Sequence, residues 1–235
     1  MKNKIRRQPA AKAVVLLSGG LDSATTLYYA IHKGFSCTCL SFDYGQRHRR
    51  ELSAAARIAA RAGCEHQTVK ISLPWKGSSL LDKSMRLPAA GKPPAAGNPI
   101  PNTYVPGRNI IFLSFALSCA ETIGAEVIFI GANAVDYSGY PDCRPAFYAA
   151  FRNVARTGTK CGADKQPVRI LTPLIRKTKA GIVKLGVRLK VPFELTWSCY
   201  AGGSGPCGKC ESCYFRRKGF LEAGIVDPTA GGRSA

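Results

Sequence analysis

The sequence predicts an α/β fold, a parallel sheet of five strands with helices on both faces, followed by a small cysteine-rich segment. Three observations carry this reading. Short apolar runs alternate with helical stretches from Val14 to Lys190. The first of these runs, Val14-Val15-Leu16-Leu17, breaks directly into Ser18-Gly19-Gly20-Leu21-Asp22-Ser23, a glycine turn at the head of a helix. Near the C-terminus four cysteines stand in the pattern C-x7-C-x2-C-x2-C. Strands alternating with helices give parallel sheets whose ligands sit at the carboxyl ends of the strands.

Each element has its own signature. Val14–Leu17 is a continuous apolar run, as a strand covered on both faces requires. Ala24–His32 has helical apolar spacing, and Gly34 is placed to end it. Phe35–Phe42 reads as a second buried strand and opens into Asp43-Tyr44-Gly45-Gln46-Arg47-His48. Glu51–Gly63 is an alanine-rich helix, and Gln67–Ile71 a short third strand. From Ser72 to Gly107 seven prolines mark a long stretch without regular structure, which in a compact domain is a functional flap or an insert. Asn109–Gly124 reads as a well-buried helix and Glu126–Gly131 as the fourth strand, followed by a polar loop from Ala132 to Asp142. Pro145–Arg156 is helical, with Pro145 in a first-turn position where its missing N–H costs nothing. Val168–Thr172 and Thr178–Lys190 complete the pattern as the fifth strand and last helix. No internal repeat is visible. The expected division is a domain over residues 1–195 and a C-terminal metal-binding region over 196–235.

Composition narrows the function classes. The 235 residues are 46% hydrophobic, enough for a real core. No apolar run reaches the ~18 residues of a membrane span, so no membrane partner is expected. Met1–Lys12 is basic without an apolar stretch, so a secretory leader is not expected and the cytoplasm is the expected compartment. Lys and Arg number 34 against 14 Asp and Glu, a net charge of +20. The basic residues are spread along the chain, which fits a basic solvated surface or an anionic partner such as ATP or RNA. Ten cysteines in a cytoplasmic chain argue against a disulfide framework. Cys37, Cys39, Cys64, Cys119, Cys143 and Cys161 are scattered, and most of them read as small buried hydrophobes. Cys199, Cys207, Cys210 and Cys213 are different. Four thiolates at this spacing, among flexible glycines, fit a closed tetrahedral zinc site, with an iron–sulfur cluster as the competing occupant. One bound zinc would fold C-terminal residues that have too little core of their own.

The Ser18–Ser23 turn aims backbone N–H groups and a positive helix end at one point, which suits an anion. It lacks the lysine and spacing of G-x-x-x-x-G-K-[ST], and no G-x-G-x-x-G is present. The bland alternative is a strand-to-helix turn that happens to use two glycines. The full S-G-G-x-D-S string resembles the PP-loop of the ATP pyrophosphatase superfamily, enzymes that split ATP between its α- and β-phosphates. That resemblance implies a Rossmann-like fold and an ATP-binding stretch of Leu17, Ser18, Gly19, Gly20, Leu21, Asp22, Ser23, Ala24, Thr25, Thr26 and Leu27. Within it, Ser18, Gly19, Gly20 and Ser23 would hold the leaving pyrophosphate. Asp22 would meet Mg2+ rather than a bare phosphate, because two anions repel unless a cation lies between them.

Three further stretches join this loop and the cysteines: Asp43–His48, Val105-Pro106-Gly107-Arg108-Asn109, and Asp136-Tyr137-Ser138-Gly139-Tyr140-Pro141-Asp142-Cys143-Arg144. Together they resemble the 7-cyano-7-deazaguanine synthase family, from about Ala13 to Gly219. The resemblance implies an enzyme of queuosine precursor biosynthesis, a homodimer, that turns 7-carboxy-7-deazaguanine, ammonia and two ATP into the nitrile through adenylated acid and amide. With no room for a glutaminase domain, free ammonia is the expected nitrogen source. Asp22, Ser23, Arg108 and Asp136 are the expected catalytic residues. Asp43, Asp136 and Asp142 are acceptors for the guanine-like N–H edge or for magnesium, with turn capping the alternative. His48 is read as a helix-start or ribose contact, Lys179 as a solvated lysine with phosphate neutralisation the alternative, and Cys143 as structural, because the adenylate route needs no thiol nucleophile. One departure from the family pattern stands out: Ala134-Val135 occupy positions where many members carry Glu-Thr.

Three other readings compete. A PP-loop tRNA-modifying enzyme, such as a thiolase, needs a sulfur relay, and Cys37-x-Cys39 inside a predicted strand is a poor one. A diverged paralogue would use the same adenylate chemistry on another acceptor. A zinc module gripping nucleic acid would leave the ATP site vestigial, against which the intact Ser18–Ser23 loop speaks. Nucleic acid is therefore not an expected partner.

Overall fold

A computed structural model describes residues 10–88, 100–135 and 139–230. Its strands are β1 (Lys12–Leu16), β2 (Ser36–Asp43), β3 (Glu65–Lys70), β4 (Val127–Ile130) and β5 (Arg169–Leu171). All pair in parallel, in the order β3-β2-β1-β4-β5. The chain runs outward from β1 to β3 and then crosses back to place β4 on the other side of β1. The order reverses beside β1, so a crevice opens at the carboxyl ends of β1 and β4, the usual ligand position in such sheets.

Side-chain alternation divides the core in two. Ala13, Val15 and Leu17 point to one face with Cys37 and Cys39, and Val14 and Leu16 to the other with Leu40 and Phe42. Helices α1 (Leu21–His32), α2 (Arg50–Arg61), α6 (Lys179–Arg188) and α7 (Glu211–Ala223) cover the first face through residues such as Leu27, Ile58, Ile182 and Phe220. Helices α3 (Arg108–Ile123) and α4 (Pro145–Thr157) cover the second through Leu113, Leu117, Tyr148 and Phe151. Each such side chain, fully buried, contributes on the order of 1.5–3 kcal/mol. Both faces being covered explains why the strands read as near-continuous apolar runs.

All the expected strands and helices are present. Pro145 opens α4 as expected, and Thr178 caps α6, its Oγ1 accepting from Gly181 N–H at 3.1 Å. Helix α3 is less buried than its composition suggests, because it packs on the sheet by one side only and leaves Ile110 49% and Phe115 42% exposed. Two helices were not read from the sequence: the short α5 (Lys160–Ala163) and α7. Among the described residues, no helix is long and apolar enough to cross a membrane.

Helix α7 ties the cysteine-rich segment into the main core. Phe220 meets Phe193 edge-on at 5.3 Å. Arg216, which in sequence belongs to a basic run, is buried and points inward. Its Nε donates to Asp227 Oδ2 at 2.7 Å and its Nη2 to Asp227 Oδ1 at 2.9 Å. Nη1 donates to Thr196 Oγ1 at 2.7 Å and Nη2 to the Phe193 carbonyl at 3.2 Å. Burial alone would raise the Asp227 carboxyl, but the hydrogen bonds and charge of Arg216 outweigh it and hold it below its ordinary value.

Removing one partner of a buried pair strands the other charge. Arg216→Met is therefore expected to lower stability by about 3–5 kcal/mol at pH 7, measured by denaturant unfolding. Because the native Asp227 carboxyl lies below its unfolded value, the stability it contributes is present above about pH 4 and is lost as pH falls through the native value. The gap between wild type and variant should narrow on acidification below pH 4; a gap that stays constant would contradict the pairing.

Candidate active site

Strand β1 delivers the chain to the crevice, where Ser18-Gly19-Gly20 turns it into α1. Leu17 continues the ladder, its N–H donating to the Leu40 carbonyl at 2.9 Å, and its own carbonyl accepts from Ser41 Oγ at 2.5 Å. Gly19 has φ +86°, and a Cβ built there would overlap the Glu51 carbonyl oxygen and approach the Ala55 amide of α2. From the other side, Gly131 at the end of β4 lets the Asp22–Ser23 backbone approach so closely that a Cβ would sit 3.0 Å from Ser23 N.

The turn holds itself open with its own hydroxyls. Ser23 Oγ accepts from Ser18 N–H at 3.2 Å, donates to the Gly20 carbonyl at 3.1 Å and lies 3.0 Å from Ser18 Oγ. No side chain caps the N-terminus of α1, so its first-turn N–H groups are left for an anion. Leu17, Ser18, Gly20, Leu21, Asp22 and Ser23 line the crevice. Ala24, Thr25, Thr26 and Leu27 are buried in α1 and do not line it.

Lys179 is not the solvated residue the sequence suggested. It opens α6, is only 7% exposed, and places Nζ 2.7 and 2.9 Å from the two carboxylate oxygens of Asp22. Its stem lies against Gly219 of α7, where any side chain would overlap it. The pair joins residues 157 positions apart, so no local pattern announces it.

The remaining expected residues sort clearly. Arg108 opens α3, lines the crevice, and donates from Nη1 to Tyr44 OH at 3.2 Å, a neutral partner, while its charge acts on the nearby Asp142 and Glu51 carboxyls. Asp142 faces α3 and not the cavity: its Oδ2 accepts from Asn109 N–H at 3.2 Å, while Asn109 Nδ2 donates to its carbonyl at 3.0 Å. Burial raises the Asp142 carboxyl, against the Asn109 hydrogen bond and the Arg108 charge. Asp43 pairs with Arg49 at 3.1 Å, outside the crevice lining. Asp136 lies outside the described residues. Burial pushes the Cys143 thiol up to about 12, too high for a thiolate at neutral pH. Cys37 is likewise buried within β2 and pushed to about 12, which fits the poor sulfur relay anticipated.

One wall was not foreseen. Trp197 N–H donates to the Gly19 carbonyl at 2.9 Å, so the chain just ahead of the cysteines closes on the loop itself. The Arg50 guanidinium lies 5.0 Å over the Trp197 ring, and its Nε donates to the Gly202 carbonyl at 3.2 Å. His48 stands edge-on to Trp197 at 6.3 Å, in space left by Gly202, and burial holds its imidazole below the ordinary value. On the α2 side, Glu51 lines the crevice; burial pushes its carboxyl up to about 7, with the Arg108 charge opposing. The cavity encloses about 300 Å³.

Behind this wall the four sulfurs of Cys199, Cys207, Cys210 and Cys213 lie within 4.8 Å of one another. Cys207 and Cys213 are 3.9 Å apart, against the ~3.8 Å expected between thiolates on one tetrahedral zinc. Backbone amides of Ala201 and Cys207 point at Cys199 Sγ at 3.3 Å each, and those of Lys209 and Cys210 at Cys207 Sγ at 3.4 Å each. N–H groups aimed at sulfur favour the thiolate form a metal requires. The cluster therefore fits a metal such as zinc.

A parallel sheet opening at its switch point onto an uncapped helix end makes this an α/β protein whose crevice suits an anionic ligand, with a four-thiol knuckle that fits a metal as one wall. Comparison with known proteins carries the class further. The family model described as queuosine biosynthesis protein QueC matches residues 12–224, and the chain belongs to that family. A 7-cyano-7-deazaguanine synthase of Anaeromyxobacter sp. (strain Fw109-5) is 51% identical over 226 residues, covering 95% of this chain and 97% of the relative. Another, from Thermosynechococcus vestitus (strain NIES-2133 / IAM M-273 / BP-1), is 54% identical over 219 residues, covering 92% and 94%. The family expected from the loop motifs is thus borne out.

Two substitutions separate loop from knuckle. Asp22→Asn is expected to abolish turnover while leaving metal content, read by plasma mass spectrometry, at the wild-type level. Cys210→Ser should lower metal content and melting temperature together. Normal metal content and melting in the latter would contradict a structural site.

Proposed function

We propose that the chain converts 7-carboxy-7-deazaguanine and ammonia into 7-cyano-7-deazaguanine, using two ATP and releasing AMP and diphosphate. The reading extends to a homodimer with one structural zinc in each subunit, bound by Cys199, Cys207, Cys210 and Cys213. The observation that carries it is the open, self-braced Ser18–Ser23 turn facing a cavity that also holds Asp22, Lys179 and Arg108, in a chain half-identical to synthases of that name.

A carboxylate acylates poorly because it would have to expel an oxide or hydroxide. Attack of the acid on the α-phosphorus of ATP replaces that leaving group with AMP. In this step the loop amides and the Ser18 and Ser23 hydroxyls take up the charge growing on departing diphosphate, preorganised electrostatic work. Lys179 can transfer its charge from Asp22 to the phosphates, and Asp22 is then free to hold Mg2+, which would supply further charge neutralisation. Arg108, whose side chain among the described residues is hydrogen-bonded only to the Tyr44 phenol, is available to the substrate carboxylate or the α-phosphate. Ammonia attacks the acyl adenylate and AMP leaves with one carboxylate oxygen. A second adenylation, on the amide oxygen, and loss of AMP give the nitrile. For Asp136, which lies outside the described residues, the catalytic part implied by the family resemblance is kept as a proposal.

Purified protein incubated with ATP, magnesium, ammonium and the acid is expected to yield, by mass spectrometry, the nitrile together with two AMP per nitrile. ADP and orthophosphate in place of AMP would overturn the reading.

A further inference from the structure

We propose that Glu51 is the specificity-determining residue that reads the N–H edge of the substrate's pyrimidine ring, accepting from the ring N–H and the exocyclic amino group. This rests on the deazaguanine acid being the substrate.

Among the described acids that line the crevice, the choice narrows to one. Only Asp22 and Glu51 of the described acids line it. Asp22 is held by Lys179, Asp43 by Arg49, and Asp142 by the amide of Asn109. The Glu51 carboxylate accepts no hydrogen bond from the described residues. An acid in the first turn of a helix ordinarily faces water and favours the helix dipole. Glu51 occupies that position in α2 but faces the cavity, because α2 is pressed against the turn at Gly19. Glu51 is only partly buried and water reaches its carboxylate, so a ligand that fills the cavity and displaces that water has to bring donors of its own.

The guanine-like edge brings two donors side by side and no acceptor between them. A carboxylate presents two acceptor oxygens at matching separation and can accept both bonds in parallel. A 2-desamino analogue would leave one oxygen unpaired in a desolvated site, the situation in which hydrogen-bonding sites discriminate most strongly. Arg108, whose charge acts on Glu51 across the cavity, supplies the donor that the oxygen-bearing parts of the same ligand need.

The test measures binding of 7-carboxy-7-deazaguanine and of its 2-desamino analogue by calorimetry, with α,β-methylene-ATP present. Wild type should bind the analogue about 10-fold or more weakly than the parent. Glu51→Gln, which puts an amide donor against the substrate N–H, should weaken the parent about 10- to 150-fold and bind parent and analogue alike, with the affinity for α,β-methylene-ATP unchanged. Three results would each overturn the assignment: no discrimination by wild type, wild-type affinity in Glu51→Gln, or a variant whose only change is a raised KM for ammonium. Should Glu51→Gln fail to fold, Glu51→Ala is measured in the same way, and wild-type affinity and discrimination in that variant overturn the assignment. A wild-type protein that binds neither acid would remove the proposed function itself, whereas a normally binding Glu51→Gln removes only this role.

Discussion

The carbonyl oxygen of Glu51 and the amide of Ala55 come up against Gly19 at a point where any side chain on residue 19 would overlap one and crowd the other. That contact sets the geometry of the crevice. It requires a left-handed backbone at Gly19, φ +86°, and it brings the first turn of α2 to the mouth of β1. Gly131 admits the start of α1 from the β4 side, and Trp197 N–H fixes the Gly19 carbonyl from a third direction. A turn clamped on three sides has its N–H vectors set before a ligand arrives. Preorganisation of this kind makes such groups effective against developing charge, since little reorientation remains to be done.

The third of those clamps links the cysteine-rich segment to the crevice. Its backbone begins at the loop, crosses Trp197, and then wraps the thiol tetrad; Arg50 of α2 reaches across to bond Gly202. Helix α7 follows at once and shares the main core through Phe220, while Arg216 and Asp227 tie the tail to Thr196 and Phe193. A metal held by the four thiols would thus stiffen a wall of the cavity from behind. It has no need to meet the substrate to matter for turnover.

What could be read from the sequence was what lies contiguous along it. The strand, glycine turn and helix at Val14–His32, and the cysteine spacing, each carry their chemistry in a few adjacent residues, and both fold as local units. Near-continuous apolar runs, the mark of strands covered on both faces, announced the central strands of the sheet for the same reason. Contacts made by topology left no such trace. Lys179 and Asp22 are far apart in sequence, and a lysine opening a helix resembles any solvated lysine until Gly219 is seen covering its stem. Arg216 hid in a basic run, and Glu51 in an ordinary first-turn acidic position. Asp142 and Asp43 were legible as acceptors, with backbone capping as one of their readings, but the partners that engage them, the Asn109 amide and Arg49, were not. Hydrogen-bond capacity is a property of the residue; its availability is a property of the fold.

In the function proposed above, the clamped turn receives diphosphate while the substrate's own carboxylate attacks the α-phosphorus. Oxygen-18 tracing tests it most directly. With 7-carboxy-7-deazaguanine labelled in both carboxylate oxygens, each AMP released on the way to the nitrile should carry one oxygen-18, and the diphosphate none. Label recovered in orthophosphate or diphosphate, with unlabelled AMP, would contradict the account.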